Sequence, residues 1–118
     1  MTPRGAHHAA SCLPDHRPAV VLGGSCITVV RIIGATIIAF KAPYMSPADF
    51  LRAEAVRDQV NHWIRTSGEF DAVVDFAKAV ADPADPEELN PAYNSGDFLH
   101  PHDAGYRAIA AAIKLNEL

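Results

Sequence analysis

The longest apolar stretch of the chain, residues 19–40, restricts the fold more than any other segment. It is rich in β-branched residues and contains Gly23, Gly24 and Gly34. A helix of this length would span a bilayer, but Arg31 would then lie in mid-span at a cost of about 2.5–3.5 kcal/mol. The β-branched side chains instead favour two buried strands of a parallel sheet. We therefore expect strands here and not a membrane span.

An amphipathic helix is predicted after this stretch. Ser46 can cap its first turn, Pro47 fits the first helical position, and Gly68 follows its last apolar residue. The residues expected on its buried face are Phe50, Ala53, Val56, Val60, Trp63 and Ile64. The residues expected on its solvent face are Arg52, Glu54, Arg57 and Asp58. The pattern predicts about five turns, with Trp63 in the core.

A further strand is predicted at residues 70–76, after the helix, because the run FDAVVDF is short, apolar and preceded by a turn. The order strand, helix, strand predicts parallel pairing through a right-handed crossover. Asp75 would then lie near the carboxyl edge of the sheet, where sites of such folds occur. It is either functional or, as we favour, a helix cap or a surface salt-bridge partner. A proline-rich loop at 82–96 and an alanine-rich closing helix after Pro101 follow.

The segment DFLHPHDAGY, residues 97–106, carries the strongest chemical signal. Asp97 and His100 are three residues apart, and Pro101 restricts the backbone behind them. A carboxylate bonded to one imidazole nitrogen fixes the tautomer and leaves the other nitrogen free as a general base. The spacing predicts Asp97 as the orienting group and His100 as the base. The alternative is that Asp97 caps a turn while His100 lies unengaged on the surface.

Residues 96–113, GDFLHPHDAGYRAIAAAI, resemble the last block of the SGNH (GDSL-type) serine ester hydrolases. The resemblance extends from about Arg31 to Leu115. It implies a partial three-layer α/β/α, flavodoxin-like fold with a short parallel sheet, from which the N-terminal half of the family domain is missing. It also implies hydrolysis of a small carboxylic ester without a cofactor, with Asp97 and His100 in the catalytic triad. His102 departs from the family pattern, which more often has a small polar residue that can cap the helix.

Acyl transfer by such an enzyme also requires a serine nucleophile and oxyanion donors. The family carries its serine in a Gly-Asp-Ser-type motif after the first strand. Ser25, in VVLGGSCIT, resembles that position, with Gly24 in place of the aspartate. Only five residues separate Ser25 from Arg31, and no oxyanion block is found. Two hypotheses follow: an ester hydrolase with Ser25 as nucleophile, or a non-catalytic remnant that self-associates through an exposed sheet edge.

Composition excludes several other classes of function. The 118 residues carry a net charge of −4 with acids and bases interspersed, so a nucleic-acid-binding surface is not expected. Residues 1–18 are predicted to be a loosely attached leader, and residues 19–118 one small α/β domain. Residues 19–30 weakly resemble a signal peptide, so both a cytoplasmic and a secreted location are open.

Metal and thiol chemistry is a weaker alternative. A third hypothesis is a metal site built from Asp97, His100, His102 and Asp103, although Pro101 makes convergence of the two imidazoles difficult. His7 and His8 form an isolated pair without a nearby ligand, so we expect no metal there. Two further residues, Cys12 and Cys26, are either a disulfide or, as we favour, two free thiols.

Overall fold

The computed structural model describes the backbone of residues 19–22 and 25–28 and all of residues 30–118. The chain divides into two units, Met1–Val30 and Arg31–Leu118. In the first unit, β1 (Ala19–Leu22) pairs antiparallel with β2 (Ser25–Thr28). The prediction that this part contributes to a parallel sheet is therefore wrong. A connection of only two residues can join antiparallel strands but is too short for a parallel crossover.

The second unit is a small α/β domain. Its elements are β3 (Ile33–Ala35), α1 (Pro47–Thr66), β4 (Ala72–Val74), α2 (Phe76–Val80), α3 (Asp103–Ala111) and a 3₁₀ helix (Leu115–Glu117). Strands β3 and β4 are parallel, with Ile33 opposite Ala72 and Ala35 opposite Val74. The parallel pair connected by a helix is as predicted, whereas the short helix α2 is not.

Helix α1 begins and ends as its sequence predicts. The hydroxyl of Ser46 accepts a hydrogen bond from the backbone N–H of Asp49 at 3.2 Å, and Pro47 occupies the first helical position. Beyond the last turn, Gly68 adopts a positive φ of 75°, a conformation that glycine reaches without steric cost. Both ends of the helix are therefore determined by local sequence.

Helix α1 buries Phe50 and Ile64, as predicted, but the rest of its buried face differs from the prediction. Its buried residues are Phe50, Glu54, Arg57, Asn61 and Ile64. The side chains of Val56 and Trp63 are 60% and 50% exposed. These buried positions also follow the helical period, so spacing alone did not distinguish between the two faces. Polar residues occupy the buried face because each one finds a hydrogen-bond partner there.

These partners form a buried group that we call the α1–β3 polar cluster: Glu54, Arg57, Asn61 and the backbone of Ile37. The amide of Asn61 accepts from Ile37 N–H at 2.7 Å and donates to Ile37 C=O at 2.9 Å. Arg57 donates to the same carbonyl at 3.2 Å and forms a bidentate ion pair with Glu54. Within the described residues, no buried side-chain nitrogen or oxygen lacks a partner. The cluster therefore joins α1 to the segment that directly follows β3 without leaving a buried side-chain polar atom unpaired.

Close packing at Gly34 brings the segment before β4 onto the strand. A Cβ atom at this position would lie 2.7 Å from the ring of Phe70, so only glycine allows the contact. Trp63 packs edge-on against the same ring, with 5.3 Å between the ring centroids. The indole is thus partly covered by Phe70 but is not the core residue that was predicted. Among the described helices, none combines the length and the apolarity needed to cross a membrane.

Candidate active site

The predicted catalytic pair lies on a tight loop, residues 94–101, which we call the dyad loop. Asn94 forms an antiparallel bridge with Pro101, and the backbone N–H of Ser95 donates to His100 C=O at 3.0 Å. The side-chain oxygen of Asn94 accepts from the backbone N–H groups of Gly96 and Phe98 at 2.9 and 3.0 Å. These bonds hold Phe98 at a φ of 62°, a left-handed conformation that non-glycine residues seldom adopt. The loop is therefore closed by its own hydrogen bonds.

Within the dyad loop, Asp97 and His100 are hydrogen-bonded to each other. The distance from Asp97 Oδ2 to His100 Nδ1 is 2.6 Å. The other carboxylate oxygen, Oδ1, accepts from the backbone N–H of His100 at 2.7 Å, from that of Leu99 at 2.9 Å and from the hydroxyl of Ser95 at 3.0 Å. The bonds from the His100 backbone and ring, followed by that from Leu99, hold the pKa of Asp97 well below its usual range. Asp97 therefore remains ionised and acts as an acceptor.

The tautomer of His100 follows from this bond. Because the carboxylate is a pure acceptor, Nδ1 carries the ring proton and the neutral imidazole keeps its lone pair on Nε2. No side chain or backbone group of residues 30–118 is bonded to Nε2, and the His100 side chain is 63% exposed. The ring is thus oriented on one side and accessible on the other, which are the two properties required of a general base.

The start of α3 anchors the dyad loop from behind. A Cβ atom at Gly105 would lie 2.5 Å from that of Pro101 and 3.0 Å from that of Tyr93, so this glycine allows the helix to pack closely against the loop. His102 caps the helix, because its Nδ1 accepts from the backbone N–H of Ala104 at 3.1 Å. A histidine thus acts as the helix cap at this position. From the segment after β3, Tyr44 donates its hydroxyl to Asp97 C=O at 3.0 Å.

The serines of the second unit are bonded elsewhere than to His100. Ser46 bonds to Asp49, and the hydroxyl of Ser67 accepts from the backbone N–H of Glu69 at 3.3 Å. The hydroxyl of Ser95 points to Asp97. Ser25, the predicted nucleophile, lies in β2 of the first unit, and its side chain is outside the described part of the structure. The described contacts therefore bring together the predicted base and its predicted orienting carboxylate, and they include no contact of Ser25.

The chelating arrangement considered from the sequence does not form among the described residues. Asp97 engages His100, while Nδ1 of His102 is used in capping α3. In residues 30–118, no three His, Cys, Asp or Glu side chains are grouped so as to hold a metal ion. The predictions for His7, His8 and the thiols of Cys12 and Cys26 fall outside the described side chains.

Asp75 has the structural role that we favoured. Its carboxylate accepts from the backbone N–H of Lys78 at 3.1 Å, which caps α2, and from the hydroxyl of Thr36 at 2.9 Å. It also forms two bonds of 2.9 Å with the guanidinium of Arg65. The bond from Arg65 is the largest cause that lowers the pKa of Asp75 to about 2. All its partners are structural, which confirms the prediction of a cap and salt bridge.

A cleft of the second unit lies apart from the dyad. It is lined by α1 and α2 side chains, including Arg57, Arg65, Asp75 and Lys78, and does not include Asp97 or His100. Its basic and acidic groups are largely paired with each other, as in the Arg65–Asp75 pair. The exposed imidazole, rather than this cleft, therefore offers the reactive group.

Comparison with known proteins leaves the chemistry to be argued from this geometry and from the motif. No protein-family model and no curated protein matches the chain. The chemistry of this chain is therefore inferred from the residues of the dyad loop.

Proposed function

We propose that this chain carries the general-base part of an SGNH (GDSL-type) carboxylic-ester hydrolase. The observation that carries the proposal is the 2.6 Å bond from Asp97 Oδ2 to His100 Nδ1, which leaves Nε2 unbonded among the described residues. In the proposed reaction, His100 Nε2 removes the proton of a serine hydroxyl as that oxygen attacks the ester carbonyl. It then returns the proton to the leaving alcohol, and water hydrolyses the acyl-serine by the same route.

Asp97 has a specific role in this proposal. When Nε2 takes up the proton, the ring becomes a cation whose Nδ1–H already faces an ionised carboxylate. Three donors hold the other oxygen of that carboxylate, so it needs no rearrangement as the charge develops. Asp97 therefore orients the base and stabilises the imidazolium but does not itself take the proton.

The proposed fold is the C-terminal part of the three-layer α/β/α domain of this family. Strand β3, crossover helix α1 and strand β4 form a parallel unit, and the dyad loop leads directly into the closing helix α3. This order is what the resemblance over residues 31–115 implies. A fold alone does not establish an activity, so the proposal depends on the geometry of Asp97 and His100.

The test uses the full chain with ethyl butyrate as an alkyl ester and a fluorophosphonate probe as a serine label. We expect hydrolysis of the ester and covalent labelling at Ser25, the candidate nucleophile. His100→Ala should abolish both, whereas His102→Ala, two residues away, should retain both. If the folded protein neither hydrolyses the ester nor reacts with the probe at any serine, the proposed hydrolase function is wrong.

A second candidate function is self-association, with a second copy of this chain as the partner. Within the described residues, β3 pairs with β4 on one side and has no strand on the other. Ile33 and Val73 are each 37% exposed, so apolar residues of the sheet lie uncovered in this unit. Parallel sheets usually have both faces covered, and an unprotected edge strand can template further pairing.

Analytical ultracentrifugation tests this second candidate over a range of protein concentrations. We expect a concentration-dependent dimer that Ile33→Lys weakens, because a charge at the edge strand opposes pairing. Leu51→Lys is the matched control, since Leu51 is an exposed apolar residue on α1. A monomer at all concentrations, or equal effects of both variants, would exclude pairing through β3.

A further inference from the structure

We propose that His100 is itself an acyl acceptor, whose Nε2 reacts directly with acyl donors that carry a weakly basic leaving group, aryl esters in particular. This activity goes beyond the proposed hydrolase because it requires no serine. It needs only an imidazole whose lone pair is held on the accessible nitrogen, which the dyad loop provides.

The two histidines next to Pro101 differ in which ring nitrogen carries the lone pair, and only His100 carries it on Nε2. In His100 the proton is on Nδ1, because that atom donates to the carboxylate of Asp97. In His102 the lone pair is on Nδ1, because that atom accepts from the backbone N–H of Ala104, so the neutral ring carries its proton on Nε2. Both side chains are exposed. Two neighbouring histidines thus present opposite tautomers, and only His100 presents a nucleophilic Nε2.

The carboxylate also favours the reaction once it begins. Attack by Nε2 makes the ring cationic, and Asp97 Oδ2 lies 2.6 Å from Nδ1 to balance that charge. Oδ1 is held by donors from Ser95, Leu99 and the His100 backbone, so the carboxylate is already in place. A preorganised charge near the developing cation lowers the barrier without reorganisation.

The proposed reaction transfers the acyl group of an aryl ester to His100 Nε2 and then to water. The Nε2 lone pair forms a bond to the acyl carbon, and the aryloxide leaves with the electron pair of the broken C–O bond. The resulting acyl-imidazolium keeps its proton on Nδ1, hydrogen-bonded to the Asp97 carboxylate, and the aryloxide takes a proton from solvent. Water then attacks the acyl carbon and loses a proton to solvent, while the N–C electron pair returns to Nε2. The products are a phenol and a carboxylic acid, and His100 is regenerated.

The leaving group limits the substrate class. In the tetrahedral intermediate, neutral imidazole leaves more readily than an alkoxide, so an alkyl ester returns to starting material. An aryloxide leaves more readily than an alkoxide because it is far less basic, so an aryl ester proceeds to the acyl-imidazole. The inference therefore predicts turnover of aryl esters without turnover of alkyl esters when no serine participates.

The experiment uses the full chain carrying Ser25→Ala and p-nitrophenyl acetate as the aryl ester. We expect release of p-nitrophenolate and, after acid quenching and proteolysis, an acetyl group on His100 by mass spectrometry. Labelling of His62 and His102 in the same sample is the internal control and requires no further variant. Acetylation spread evenly over the three histidines, or absent from His100, would overturn the inference.

Two variants in the same background test the mechanism. Asp97→Asn should slow acetylation of His100 about tenfold, because a neutral partner stabilises the cationic ring less than a carboxylate does. His102→Ala should leave the rate unchanged. Equal rates in Asp97→Asn and the Ser25→Ala parent would show that the carboxylate plays no part, against the inference.

Failure of this inference can be distinguished from failure of the proposed hydrolase. Acetylated His100 without ethyl butyrate hydrolysis or serine labelling would support the histidine reaction and reject the serine enzyme. Ethyl butyrate hydrolysis with labelled Ser25, together with unmodified His100 in Ser25→Ala, would support the serine enzyme and reject the inference.

Discussion

Two polar clusters of the second unit use similar side chains in opposite surroundings. The α1–β3 polar cluster is buried, and the amide of Asn61 bonds to both backbone groups of Ile37. The dyad loop is exposed, and three donors bond to Asp97 Oδ1. His100 Nδ1 bonds to Asp97 Oδ2, and His100 Nε2 has no partner in the described residues. The first cluster uses every polar atom for structure, while the second leaves one atom available.

The difference follows from the cost of desolvation. A buried polar atom without a partner destabilises the fold by about 1–3 kcal/mol, so the α1–β3 polar cluster can retain none. An exposed atom can bond to water, so the dyad loop keeps a free lone pair without that penalty. Reactivity in this unit is therefore expected where a polar network is well ordered but still open to solvent.

The largest effect is expected at the buried ion pair. Glu54→Gln leaves the buried guanidinium of Arg57 with only the exposed carboxylate of Asp58, 4.0 Å away, as a countercharge. We expect the unfolding free energy to fall by about 3–5 kcal/mol. Urea denaturation of the full chain measures the change. Arg52→Gln is the matched control, because it removes an exposed ion pair of the same i,i+3 spacing on the same helix. Similar losses in both variants would mean that burial of the pair contributes little.

A smaller loss is expected at Asn61. Asn61→Ala removes the acceptor of Ile37 N–H, while Ile37 C=O keeps its bond from Arg57. One part-buried donor loses its partner, so we expect a loss of about 1–3 kcal/mol. Hydrogen exchange at the Ile37 amide should accelerate, whereas the exposed neighbour variant His62→Ala should not change it. An unchanged Ile37 exchange rate would contradict this role for Asn61.

At the dyad loop, the same kind of change should affect chemistry more than stability. Ser95→Ala removes one of three donors from Asp97 Oδ1, and the carboxylate remains held by two backbone N–H groups. We expect acetylation of His100 by p-nitrophenyl acetate to slow about two- to fivefold, with little change in urea denaturation. A large loss of stability instead would remove the contrast between the two clusters.

The smallest effect is a pH dependence arising from Asp75. Its pKa is lowered from 3.8 to about 2 in the folded protein, chiefly by Arg65. A lowered pKa contributes stability that is fully present above pH 3.8 and is lost as pH falls towards about 2. Because the pair is partly exposed, we expect about 1 kcal/mol or less. Unfolding free energies of wild type and Asp75→Asn should therefore converge over this range, and parallel curves would contradict the assignment.

Local signals in the sequence predicted much of the second unit. Ser46, Pro47 and Gly68 define helix α1, because capping and positive φ depend on a few neighbouring residues. The Asp97–His100 spacing predicted a pair that the fold brings together at 2.6 Å. Both features involve residues close in the chain, whose geometry is restricted before any long-range contact forms.

Tertiary structure decided the features that depend on distant partners. Glu54, Arg57 and Asn61 are buried only because the ion pair is complete and the Ile37 backbone lies opposite them. The solvent-exposed positions predicted for Glu54 and Arg57 are therefore wrong. The antiparallel pairing of β1 with β2 also could not be distinguished from a buried parallel strand by composition. Sequence thus determined where the helix and the dyad occur, and long-range hydrogen bonding determined which polar groups are buried, because burial is tolerated only where partners are present.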